Sequence, residues 1–276
     1  MDNSIPSSFR LLLVPGLVFA TVLFLGPLVL MLSLSVREAE TGIENFDWML
    51  GSSAVQSIAW ATVRFSALAS TISVVLGFFL AYAIWRSGRI LGTSLLAVVL
   101  ISFWLSVLVR CFSLILMLGP NGPVLPALAF LGLGDVRLIR NESGVLIGMA
   151  HYLIPFAVLT ILISLRAIDL SLVSAARSMG AGRGRIFRTI ILPLAVPGTI
   201  AAFSLCFVIA LGFYITPALL GGGRVVMIAE FVTFYISDIL DWGKASALAI
   251  LLLVLIGFSY AVLRLAQSLF GRARAA

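Results

Sequence analysis

Apolar residues fall in long blocks along this chain, separated by short polar stretches. A helix crosses the hydrocarbon core of a bilayer with about 20 mostly apolar residues. Six blocks reach that length: residues 11–32, 55–85, 90–118, 144–165, 190–216 and 245–265. The pattern predicts six transmembrane helices. The second and third blocks exceed the minimum and are expected to tilt or to extend past the membrane. Two further apolar runs are too short to cross. Residues 124–133 hold Pro126 and suit an interfacial helix, and residues 225–236 hold Glu230 and suit a re-entrant or surface helix. The first block follows Arg10 and continues to about residue 34. It is long for a signal-peptide core and lacks a small-residue cleavage site, so it reads as a retained span.

Composition agrees with the pattern. The chain is 62% apolar and 11% charged, whereas soluble domains are about half apolar and a quarter charged. A net charge of +7 would suggest nucleic acid in a soluble protein. Here the basic residues gather in particular loops, which is the pattern that orients membrane proteins, so no nucleic-acid partner is expected. With the N-terminus inside, Arg10, Arg86, Arg89, Arg166, Arg177, Arg183, Arg185, Arg188, Arg264, Arg272 and Arg274 are cytoplasmic. Only Arg37, Arg137, Arg140, Arg224 and Lys244 are external, so both termini are expected in the cytoplasm. The acids lean outward: Glu38, Glu40, Glu44, Asp47, Asp135, Glu142, Glu230, Asp238 and Asp241. Cys111 and Cys206 lie in apolar runs and suggest no disulfide framework. No spacing makes a metal site, and no paired carboxylates or nucleophile–base set points to an enzyme. No repeat is visible, and residues 1–276 are expected to form a single all-α membrane domain.

One polar, basic island interrupts this pattern, at residues 169–193, DLSLVSAARSMGAGRGRIFRTIILP. Asp169 or Ser171 can cap a helix beginning near Leu170. Leu172, Ala175, Ala176 and Met179 then fall on one side at helical spacing. Gly180 follows where a left-handed residue ends a helix, and Pro193 marks entry into the next span. A short helix with a small apolar face and flanking arginines is suited to docking in a groove on another protein.

The spacing of Ala175-Ala176, Gly180, Ile190 and Leu192-Pro193 resembles the signature loop of permease subunits of bacterial ATP-driven (ABC) importers. The resemblance covers essentially the whole chain and implies a type I ABC importer permease fold in the bacterial cytoplasmic (inner) membrane. It makes residues 167–192 a cytoplasmic coupling loop that grips an ATPase subunit. Ser174, Ala175, Ala176, Met179, Gly180, Arg183, Leu192 and Pro193 would be its coupling residues. Ser174 stands where glutamate is usual in the family. Within the family the chain looks most like permeases of spermidine/putrescine importers and their relatives. That likeness rests on Phe103-Trp104, Arg110, Asn121-Gly122, His151-Tyr152, Pro155-Phe156, the run 213–222 (FYITPALLGG) and Trp242-Gly243. The implied assembly has a second permease subunit, two ATP-binding subunits and an extracytoplasmic solute-binding protein. The chain has no GxxxxGK[ST] loop, so ATP and Mg would sit on the partner and this subunit would be no enzyme and carry no cofactor.

Six residues are candidates for the solute path. Arg110 lies inside an apolar block, where a charge is costly and marks function by default; it could instead pair with an acid such as Glu142. Trp104, Phe213 and Tyr214 could offer aromatic faces to ammonium groups or simply pack. Thr216-Pro217 and Gly221–Gly223 break the fifth block at its outer end and could form a gate or a plain exit loop. Glu230 at an external mouth would concentrate cations. A polyamine fits the aromatics and acids; another small nitrogenous or phosphonate solute fits Arg110. An ion-coupled carrier, the rival class, would place acids deep in its spans, and none lies near a predicted midplane.

Overall fold

The computed structural model describes residues 7–37, 43–130, 132 and 136–272. Glu38, Glu40, Asp135 and Arg274, used above for charge placement, lie outside the described residues. Thirteen helices account for nearly all of the described chain, in the order α1 (Ser7–Arg37), α2 (Glu44–Gly51), α3 (Ser53–Arg86), α4 (Arg89–Trp104), α5 (Val107–Leu118) and α6 (Val124–Phe130). After them come α7 (Glu142–Arg166), α8 (Leu170–Ser178), α9 (Arg183–Ile186), α10 (Leu192–Leu211), α11 (Ile215–Leu220), α12 (Ile228–Phe234) and α13 (Trp242–Arg272). Two single π turns, Phe187–Ile191 and Tyr235–Ile239, join α9 to α10 and follow α12.

Among the described residues, five helical stretches are long and apolar enough to cross a membrane: Val14–Val36, Ser53–Arg86, Glu142–Arg166, Arg183–Leu211 and Trp242–Leu265. The remaining expected span, the third block at residues 90–118, is not straight. It divides into α4 and α5, which meet at 105°. Leu105 and Ser106 take extended backbone at the corner, so the i→i−4 ladder is interrupted although no glycine or proline stands between residues 93 and 118. The fifth block also ends earlier than its apolar pattern suggests. Its helix stops at Leu211, and Thr216 belongs to the separate short helix α11.

Two compact units divide the chain. One comprises residues 57–230 and 254–276. Its core is built chiefly where α7 packs along α10, with α3 and α4 against α7. Small residues set the close approaches. A Cβ at Gly77 on α3 would stand 2.7 Å from the Ala157 methyl of α7. One at Gly198 on α10 would overlap the Ser164 hydroxyl of α7. Such small-residue contacts let apolar helices associate where hydrophobic burial alone gives no drive between them. Cys206, buried on α10, points its thiol at the Leu153 carbonyl of α7 across 3.7 Å.

The second unit comprises residues 1–56 and 231–253. Asn45 of α2 is buried and donates to the Ser35 carbonyl of α1 at 3.0 Å. Met49, Val55, Ala247 and Leu248 form its small core. Trp48 meets Tyr235 edge to face at 5.2 Å, and Asp241 pairs with Lys244 at 2.8 Å near the start of α13.

Candidate functional sites: a docking helix and a broken span

The polar island folds as a helix, a turn and a second helical entry. Asp169 caps α8, its carboxylate accepting from the Ser171 amide at 2.8 Å. That bond holds the Asp169 carboxyl below the usual carboxylate range. The hydroxyl of Ser174 is turned onto its own helix and donates to the Leu170 carbonyl at 3.1 Å. Gly180 takes φ +79°, with its amide bonded to the Arg177 carbonyl and the Ala181 amide to the Ala176 carbonyl. This is the left-handed glycine that closes a helix C-terminus.

The two sides of α8 differ. Val173 and Ala176 are buried, whereas Leu172 and Met179 are exposed, Met179 at 81%, with exposed Ala175 between them. The outward apolar face is therefore Leu172, Ala175 and Met179, and Ala176 packs inward instead of joining it. Arg183 starts α9 and is exposed; Leu192 and Pro193 begin α10 directly after the π turn. From Arg183 to Leu211 the helical backbone is continuous.

A second group gathers at the corner between α4 and α5. Arg110 is 4% exposed, and its Nη2 donates back across the corner to the Ser102 carbonyl. Its guanidinium carbon lies 4.9 Å from the centroid of the Tyr152 ring of α7, a cation–π arrangement. Tyr152 in turn stacks on Phe156 and meets Phe213 edge to face at 5.2 Å, and Phe103 packs on Phe156 at 5.0 Å. Thr216, buried on α11, faces the Cys111 thiol at 3.7 Å. The Nε of Arg110 and the Nδ1 of the neighbouring His151 are buried with no hydrogen-bond partner.

Arg110, Phe213 and Thr216 thus meet at one place, linked through Tyr152 and Cys111. Trp104 does not join them: it ends α4 and is 85% exposed. Tyr214 is partly exposed just before α11. Glu230 sits on α12, half-buried, with its Oε2 buried and unpartnered, and is not among the partners of Arg110. Glu142 does not serve as the partner of Arg110 either. It pairs with Arg64 of α3 at 3.0 Å. Sequence reasoning missed Tyr152 as the centre of this group, although its place four residues before Phe156 put both rings on one helix face.

A further feature lies on the segments that precede α7 and follow α11. Arg137, Arg140 and Arg224 line a cavity of about 920 Å³ with Leu118, Leu138 and Gly222. The sequence marked these arginines only as loop charges, because nothing in their spacing brings residues 137 and 224 together.

Several helices long and apolar enough to cross a membrane, one further span broken around a buried arginine, and a short helix with an exposed apolar face are features of a polytopic membrane protein. Residues 73–272 match the family model of binding-protein-dependent transport system inner membrane components. The chain belongs to that family and is a permease subunit of an ABC importer, a multi-pass inner-membrane protein and not itself an enzyme. It is 30% identical to the spermidine/putrescine transport system permease protein PotB of Haemophilus influenzae, covering 83% of this chain and 81% of that one. It is 31% identical to PotB of Salmonella typhimurium over 69% and 68% of the two chains. The molybdenum transport system permease protein ModB of Azotobacter vinelandii is 29% identical over 58% of this chain and 70% of its own. Among solved structures, the fold resembles a bacterial ABC transporter that imports the acidic polysaccharide alginate. The TM-score is 0.73 and the identity 18%, covering 93% of this chain and 94% of that one. The MetNI methionine ABC transporter gives a TM-score of 0.58 at 19% identity, over 80% and 98% of the chains.

Proposed function

We propose that this permease carries a polyamine of the spermidine/putrescine class, received from an extracytoplasmic binding protein and released into the cytoplasm. The observation that carries this reading is the 30% identity to a spermidine/putrescine permease across four-fifths of both chains. The assembly pairs the chain with a second permease subunit and two ATP-binding subunits, which hold ATP and Mg. Residues 167–192 form the coupling loop. Its outward Leu172–Ala175–Met179 face enters a groove on the ATPase, Gly180 sets the turn, and Arg183, Leu192 and Pro193 connect the turn to α10. Ser174 bonds within α8 and leaves the glutamate role of related loops unfilled. Residues 1–276 work as one membrane domain, with both termini in the cytoplasm if α4 and α5 make one broken crossing. Arg110, Phe213 and Thr216 act at the inner solute path; Trp104, Tyr214 and Glu230 act at its accessible margins.

Charge favours a second reading, an importer of an anionic or zwitterionic solute. The buried Arg110 and the cavity of Arg137, Arg140 and Arg224 both present cations, and a polyamine would be repelled by them. Calorimetric titration of the cognate binding protein decides between the two. Tight binding of putrescine or spermidine supports the polyamine. Silence with both, and binding of an aminophosphonate or an acidic amino acid, replaces it with the anionic reading.

A further inference from the structure

The inward side of α8 closes a cavity against the last turns of α3. Its volume is about 310 Å³, and Arg86, Arg177 and Arg183 line it together with Tyr82, Trp85 and Val173. No aspartate or glutamate is on its walls. Neither the Arg64–Glu142 nor the Lys244–Asp241 ion pair involves these three arginines. Three arginines that line one space repel each other, and an anion there would relieve that repulsion. Guanidinium groups match the oxygens of a phosphate in paired, planar hydrogen bonds.

The position selects the source of the phosphate. The apolar run of α3 ends at Arg86, so Tyr82 and Trp85 lie on the last turn of a span, the depth where aromatic rings sit at the headgroup level. Basic pockets between helix ends at a membrane face are suited to anionic headgroups. Tyr82, Trp85 and Val173 give the cavity an apolar wall along which an acyl chain can run. The outward apolar face of the helix is separate from the cavity, although Ser174 and Arg183 of the coupling loop line that cavity. Val173 and Arg177, at helical spacing, line the cavity, while Leu172, Ala175 and Met179 are exposed and do not. We propose that this cavity binds the phosphate of an anionic phospholipid and so fastens the coupling loop to the membrane. The proposal needs α3 to be a span and is independent of which solute is carried.

Native mass spectrometry of the full chain in detergent tests it, with phosphatidylglycerol and phosphatidylcholine of identical acyl chains as probes. Phosphatidylglycerol adducts are expected to survive activation that strips phosphatidylcholine. The paired substitutions Arg86→Gln and Arg177→Gln are expected to weaken phosphatidylglycerol binding about tenfold or more. Arg188→Gln removes a charge from the same loop outside the cavity and is expected to leave binding unchanged. Equal retention of the two lipids, or an Arg188→Gln effect as large as that of the pair, overturns the proposal. Displacement of the lipid by an equal concentration of inorganic phosphate assigns the cavity to the free ion and overturns the lipid reading. Unchanged lipid binding in the paired variant, with loss of the co-purifying ATPase, assigns it to the protein interface and overturns it as well.

Discussion

Arg110 answers two needs at once. It puts a second donor on the Ser102 carbonyl, which at the corner otherwise accepts only a long bond of 3.4 Å from the Leu105 amide, and a cation on the face of Tyr152. A hydrogen bond from a charged group contributes about 1.5–3 kcal/mol, so Arg110→Gln is expected to destabilise the chain by roughly that amount. Thermal unfolding in detergent measures it, and an unchanged midpoint would remove Arg110 as the clasp of the corner. Trp104, next to the same corner but 85% exposed, serves as the contrast. Trp104→Ala is expected to change stability by no more than about 0.5 kcal/mol. Gly180 is the other residue whose identity matters singly. At φ +79° a side chain costs about 1–2 kcal/mol, and Gly180→Asp also puts a negative charge beside the exposed apolar face of α8. That variant is expected to insert normally and to lose ATP-dependent uptake; normal uptake would sever the link between this turn and coupling.

At the scale of elements, α8 depends on a carboxylate cap whose strength follows pH. The folded pKa of Asp169 is depressed by the Ser171 amide, so its contribution is full above the ordinary carboxylate pKa. It is lost as pH falls through the depressed value. Amide exchange across residues 170–178 should therefore accelerate in acid, beyond the intrinsic change, and Asp169→Asn should remove that dependence while keeping an acceptor. The α7–α10 pair depends on bulk instead. Gly198→Leu drives a side chain into Ser164 and is expected to cost about 1–3 kcal/mol or more by overpacking, read as a lowered unfolding midpoint. The straight spans α3, α7 and α10 were legible in the sequence because each is a long apolar block closed by arginine, glycine or proline. The corner at Leu105–Ser106 was not, since its serine is no more polar than Ser94, Ser102 or Ser113 elsewhere in the block and the bend is held by Arg110 from the next helix. The inward turn of Ala176 was hidden for a related reason. A helical wheel groups Ala176 with Ala175 and Met179, and only the packing of α8 onto the rest of the chain tells which edge of that arc is covered.

For the whole molecule, charge distribution sets the expectation that can be checked most directly. Single cysteines placed at Arg140 and Arg185, in a chain with Cys111 and Cys206 replaced by serine, should label from opposite sides of the membrane. Labelling of both from outside would overturn the positive-inside orientation. The match to the importer family was readable from one loop motif, whereas the cluster around Tyr152 required residues from four separate helices and was not. The π turn between α9 and α10 carries a mechanical consequence. Because it inserts a residue without ending the helix, the 29 residues from Arg183 to Leu211 run continuously over about 44 Å at 1.5 Å per residue. A tilt imposed at the Arg183 end reappears as sideways travel at the far tip beside Phe213. That end is the handle of a lever.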